Sequence, residues 1–118
     1  MAGDKANKDT GVFLTHILES IELIEIYVKD MDKQAFLSDI EAQDASMRRL
    51  EIIGEACKNI PADFRKSHPV IPWKKIAGLR DVLIHEYFGA DLGLVWSVIH
   101  NRIPELRSEI QKIVASGK

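Results

Sequence analysis

A single cysteine, four prolines and the lack of any long apolar run set the first limits on this sequence. Cys57 has no partner within the chain, so a disulfide framework is excluded, and its place in an apolar helical pattern marks a buried structural thiol. No stretch approaches the roughly 18 apolar residues of a membrane span. The opening MAGDKANKDT has no apolar core like that of a secretory signal, so the chain is expected in the cytoplasm and off membranes. The only histidines, His16, His68, His85 and His100, are never three or four residues apart, which leaves no zinc spacing and no expected metal or other cofactor. CxxC pairs, a glycine-rich phosphate loop and a GxSxG elbow are missing too, and with them support for redox, P-loop and serine-hydrolase chemistry. Nor does any stretch alternate with period two, which argues against a sheet.

What is present is a soluble composition, 46% apolar and 29% charged over 118 residues, enough for one core and not for two. One domain over residues 1–118 is expected, with residues 1–9 as a disordered tail. The net charge of −2 does not mark the whole molecule as a nucleic-acid binder, but the charge is unevenly spread. Residues 1–57 carry six cations against twelve anions, whereas residues 58–80 carry Lys58, Arg65, Lys66, Lys74, Lys75 and Arg80 against Asp63 alone. Such a segment suits phosphate docking, with Lys74 and Lys75 as candidate RNA-binding residues; a solvated face gives the same count.

Helical periodicity accounts for most of the chain. Leu14, Ile17, Ile21, Ile24 and Val28 recur at spacings of three and four and predict a helix from about Thr10 to Lys29. Ser38, with Glu41 three residues on, has the form of a capping box opening a second helix to about Ile60, whose stripe is Met47, Leu50, Ile53, Cys57 and Ile60. Gly54 interrupts that stripe and suggests close approach of a neighbouring backbone. Pro61 ends the helix or begins a short turn containing Phe64. Pro69 and Pro72 bracket an extended link, and Pro72 suits the first position of a third helix starting near Trp73, with Ile76, Leu79 and Leu83 on one face. Gly89 is expected to stop it and Asp91 to cap the last helix, in which Pro104 forces a kink or restart between Ile103 and Leu106. The fold class is therefore all-α, an antiparallel bundle of four or five helices.

One short segment concentrates reactive side chains: Gly78-Leu79-Arg80-Asp81-Val82-Leu83-Ile84-His85-Glu86-Tyr87-Phe88. Histidine passes protons near neutrality and arginine grips phosphate oxygens in a fork, a combination suited to phosphodiester cleavage. Both also suit a plainer role, favouring the dipole at a helix C-terminus, and a tyrosine there packs its ring and wets its hydroxyl. Arg80 and His85 are five residues apart, about 140° around an unbroken helix. Either the helix deforms before His85, or a symmetric dimer supplies the pair from two chains; the dimer is preferred.

The string RDVLIHEY, read as RxxxxHxY, resembles the defining motif of HEPN-domain toxins of the HepT type, which are paired with a minimal nucleotidyltransferase antitoxin. MRRLEIIGEACKNIP, HPVIPWKKIAGLRDVLIHEYFG and DLGLVWSVIHNRIPEL resemble that family in order and spacing, so the likeness covers most of residues 12–113. It implies a HEPN-type bundle forming a homodimer and metal-independent endonucleolytic cleavage of RNA, in a type VII-like toxin–antitoxin system. Arg80 and His85 fall on the catalytic positions, with Asp81 in support. Tyr87 falls on the position that the partner nucleotidyltransferase modifies with AMP, which would switch the toxin off. The competing expectation is a non-catalytic companion of a nucleotidyltransferase that holds substrate or nucleotide; the intact motif argues against it.

Overall fold

A computed structural model describes the backbone of residues 2–86 and 92–116, and the side chains of residues 10–79, 81 and 92–116. Its regular elements are helices: α1 (Ala2–Tyr27), α2 (Lys33–Leu37), α3 (Ile40–Asn59), α4 (Ala62–Ser67), α5 (Trp73–Glu86), α6 (Leu92–Ser97) and α7 (Ile103–Ala115). A π-helical stretch, Val98–Arg102, joins α6 to α7. No strand occurs among the described residues.

The expected stripe of α1 is buried from Leu14 to Val28. The helix starts at Ala2 and not near Thr10, so residues 2–9 are helical where a disordered tail is expected from sequence. Once a helix is nucleated each added residue gains a hydrogen bond, and Ala and Lys in this stretch are good formers. Thr10 is buried inside the helix and does not cap it. At the other end Asp30 adopts φ 63°, a left-handed conformation that aspartate tolerates better than most residues, and the chain turns.

Two short helices had no counterpart in the periodicity or only a partial one. In α2, Asp32 accepts a 2.8 Å hydrogen bond from the Ala35 amide, and Phe36 is wholly buried with its ring centroid 5.4 Å from that of Trp96. The Gln43 side-chain amide donates to the Phe36 carbonyl at 2.9 Å, satisfying a buried polar group. Because Ser38 closes α2, donating its amide to the Gln34 and Ala35 carbonyls, it is not the cap of α3. That role belongs to Asp39, whose carboxylate accepts from the Ala42 amide at 2.9 Å. The expected Ser38–Glu41 capping box is thus replaced by a simple cap one residue later. The second short helix, α4, is the Phe64 turn expected after Pro61.

The stripe of α3, from Met47 through Leu50, Ile53 and Cys57 to Ile60, is buried, as is Gly54. This helix packs against both α1 and α5, so it is the central rod of the core. Pro104 restarts the last helix as expected. Its ring removes the amide that the His100 carbonyl would receive in an α-helix, and the chain widens to a π turn in which the Ile103 amide reaches the Val98 carbonyl. Val95, Val98, Ile99, Ile103, Leu106, Ile110 and Ile113 nonetheless stay on one buried face.

Contacts at the two ends fix the direction of the rods. The α6 end touches α2 through Trp96 and Phe36, whereas Lys112 and Ile113 of α7, with Ser116 just past its end, share a cleft with residues 67–71. Since α3 leads from α2 to α4, the α6–α7 rod runs along it in the same sense, and α1 and α5 run opposite. The result is an all-α antiparallel bundle of four long rods, tied across α1 and α7 by Arg107 and Glu25 at 2.6–2.8 Å. That exposed pair contributes at most about 1 kcal/mol; the buried stripes carry the stability.

Candidate functional site

The link between α4 and α5 is built before the site it serves. Trp73 is buried and its indole N–H donates to the His68 carbonyl at 3.0 Å, while Phe64 packs on both His68 (centroids 4.5 Å) and Trp73 (6.2 Å, edge-on). Pro72, expected at the first helical position, stands immediately before the helix, and its carbonyl receives the Ile76 amide at 3.1 Å. This aromatic knot sets where α5 begins and holds α4 beside it.

From there α5 is helical without interruption to Glu86, so Arg80, Asp81 and His85 share one rod. The unbroken helix places the Cα atoms of Arg80 and His85 about 140° apart around its axis. Deformation ahead of His85, one of the two ways to unite the pair within a single chain or dimer, is not the one adopted. Asp81 is exposed and precedes position 85 by four residues, the spacing of neighbours on one helix face. The side chains of Arg80, Leu83 and His85, and Tyr87, Gly89 and Asp91 entirely, lie outside the described residues.

Lys74 and Lys75 are exposed at the opposite end of α5, on the rim of a cleft of about 450 Å³. Arg65 and Lys66 of α4 complete the rim, and Pro69, Ile71 and Pro72 supply apolar lining. Sequence reading counted Arg65 and Lys66 in the cationic segment but did not single them out. Their signal was the shortness of the Pro69–Pro72 link, which cannot carry α4 far from α5. The structure brings these four cations together at the end of α5 away from the motif.

The remaining candidates are structural. His100 stacks on Trp96 with centroids 3.8 Å apart, and its Nδ1 lies 3.0 Å from the Trp96 carbonyl oxygen. Cys57 is buried, which pushes its thiol up to about 12, with the nearby Arg65 charge pulling weakly the other way. It is no nucleophile at neutral pH. Among the described residues no group of three His, Cys, Asp or Glu side chains is placed to hold a metal ion, and no helix is long and apolar enough to cross a membrane.

Residues 17–113, which span most of the core stripes and all of α5, match the family model described as "Ribonuclease HepT-like". This chain belongs to that family. A "Probable ribonuclease HepT" of Thermococcus cleftensis is 45% identical over 109 residues, covering 92% of this chain and 96% of the relative. A Caldanaerobacter subterraneus protein carrying the name "Putative RNase" is 44% identical over 106 residues, 90% of this chain and 95% of its own length. A Methanocaldococcus jannaschii protein named "Gamma-glutamylcyclotransferase and putative RNase" is 54% identical over 107 residues, 91% of this chain, and the chain spans about half of its length (48%). No solved structure matches the chain. The bundle is thus a HepT-type HEPN fold, and membership supports a ribonuclease function.

Proposed function

We propose that this HepT-like chain is a metal-independent endoribonuclease, the toxin of a type VII-like toxin–antitoxin pair, acting as a homodimer through Arg80 and His85. The observation that carries the reading is the complete RxxxxHxY motif, Arg80, His85 and Tyr87, within a chain of the HepT-like ribonuclease family. His85 removes the proton of a ribose 2'-hydroxyl; the 2'-oxygen bonds to phosphorus as the bond to the 5'-oxygen breaks, and the leaving oxygen takes a proton from solvent. Arg80 stabilises the charge that builds on the phosphate in that step. Asp81, four residues before His85, orients it. The unbroken α5 favours a site in which Arg80 of one protomer works with His85 of its partner, since one helix holds the two about 140° apart.

Regulation follows from Tyr87. A nucleotidyltransferase antitoxin transfers AMP from ATP to its hydroxyl with release of pyrophosphate, and the added bulk and negative charge two residues from His85 exclude RNA. RNA cleavage in excess chelator tests the reading, with wild-type protein shown by intact mass to be free of adducts on Tyr87 and compared with His85→Ala. Wild type cleaves, and the variant loses about a hundredfold or more of the rate, the usual worth of general acid–base catalysis. Equal activity in the two, or none from adduct-free wild type on varied RNAs, sinks the proposal and leaves the substrate-binding companion in its place.

A further inference from the structure

Resting on the ribonuclease reading, we propose that the cleft between α4 and the start of α5 docks the sugar-phosphate backbone of single-stranded RNA, apart from the cleavage motif. Its charge is of one sign: Arg65, Lys66, Lys74 and Lys75 line it with no carboxylate among the lining residues. Neither Lys66, Lys74 nor Lys75 is in an ion pair among the described residues, so their charge is not spent within the fold. The two adjoining clefts differ, since Glu109 lines both and Glu105 one of them.

Arg65 adds an independent sign. Its Nε is buried without a hydrogen-bond partner, a costly state for a charged group's donor, and a phosphate that draws the side chain toward the cleft supplies the missing acceptor. The positive end of the α5 dipole also lies here and favours an anion. Packing of Phe64, His68 and Trp73 fixes α4 against α5, so the backbones that carry the four cations are held in place before any ligand arrives.

The lining also says what is not read. Trp73 is buried and its indole N–H is taken by the His68 carbonyl, so it offers no stacking platform, and Pro69, Ile71 and Pro72 offer only apolar contact. Binding here is therefore to phosphates and sugars, independent of base sequence. Lys75 precedes His85 by ten residues, about 15 Å along the helix, so a strand anchored in the cleft can extend along α5 to the motif.

The test uses full-length His85→Ala protein, which does not consume the RNA, and a labelled oligouridylate followed by fluorescence anisotropy from about 50 to 200 mM salt. Adding Lys74→Gln and Lys75→Gln lowers the salt slope by about 1.4, two single-strand phosphate contacts, and weakens binding about tenfold or more at the low-salt end. Lys66→Gln acts in the same direction, and Lys33→Gln, an exposed change on α2, leaves affinity and slope as in the parent. Arg65→Gln lowers affinity further while Arg65→Lys retains part of it, with thermal melts confirming that each variant folds. Parental affinity and slope in the lysine variants overturn the proposal; with wild-type cleavage intact, the ribonuclease reading survives that result. Unchanged RNA binding with loss of binding to polyglutamate assigns the cleft to an acidic protein and overturns it equally.

Discussion

Burial decides what Cys57 can do. With its thiol pushed up to about 12 by desolvation, the thiolate fraction near pH 8 falls about a thousandfold below that of a free cysteine. Iodoacetamide at that pH is therefore expected to leave Cys57 unlabelled in the native protein and to label it fully in denaturant, as read by intact mass; native labelling at the free-thiol rate contradicts the buried position. The sign of the linkage follows. A thiol held protonated in the fold contributes stability below its ordinary value of 9.0 and loses it as pH rises toward 12. The apolar stripe around Cys57 made this residue legible from sequence. Arg65 was not legible in the same way, because charge counting records a cation but not that its Nε is buried and unpartnered.

At the scale of the element, the long rods declared themselves and the short ones did not. Stripes over α1, α3 and α6–α7 repeat often enough to fix a face, and each is buried as expected. The five residues of α2 contain no repeat, so Phe36, wholly buried, stood in a segment without a readable face. Missing α2 also moved the cap of α3, since Ser38 is engaged in closing the shorter helix. Two substitutions separate the readings: Asp39→Ala costs about 1 kcal/mol of stability through loss of the cap, whereas Ser38→Ala changes it little. Urea unfolding measures both, and a larger loss at Ser38 reinstates the capping box. In the centre of the same helix Ile53 has no exposed surface, and Ile53→Ala is expected to cost about 2–5 kcal/mol by the same measurement. A value near zero would mean that α3 is not the central rod.

Over the whole molecule, charge bears on how RNA is met, and the proposed dimer on how the motif is used. An acidic first half disfavours RNA, and from the positive segment Lys58 to Arg80 the fold gathers Arg65, Lys66, Lys74 and Lys75 at one cleft. Sequence supplied that segment and the motif; the meeting of α4 with α5 depends on the aromatic knot and was not visible in it. The unbroken α5 closes one route to uniting Arg80 with His85 in a single chain, and the proposed homodimer supplies the other. Arg80→Ala and His85→Ala proteins, each inactive alone, are therefore expected to complement when unfolded together and refolded as a mixture. Half of the random dimers are mixed, and each mixed dimer has one intact site of two, so the mixture recovers about a quarter of wild-type RNA cleavage. A site completed within one chain gives no recovery at any mixing ratio, because every site then lacks either the arginine or the histidine. That outcome would place the pairing of Arg80 and His85 within a single protomer and withdraw the shared cleft, while leaving the two residues' chemistry in place.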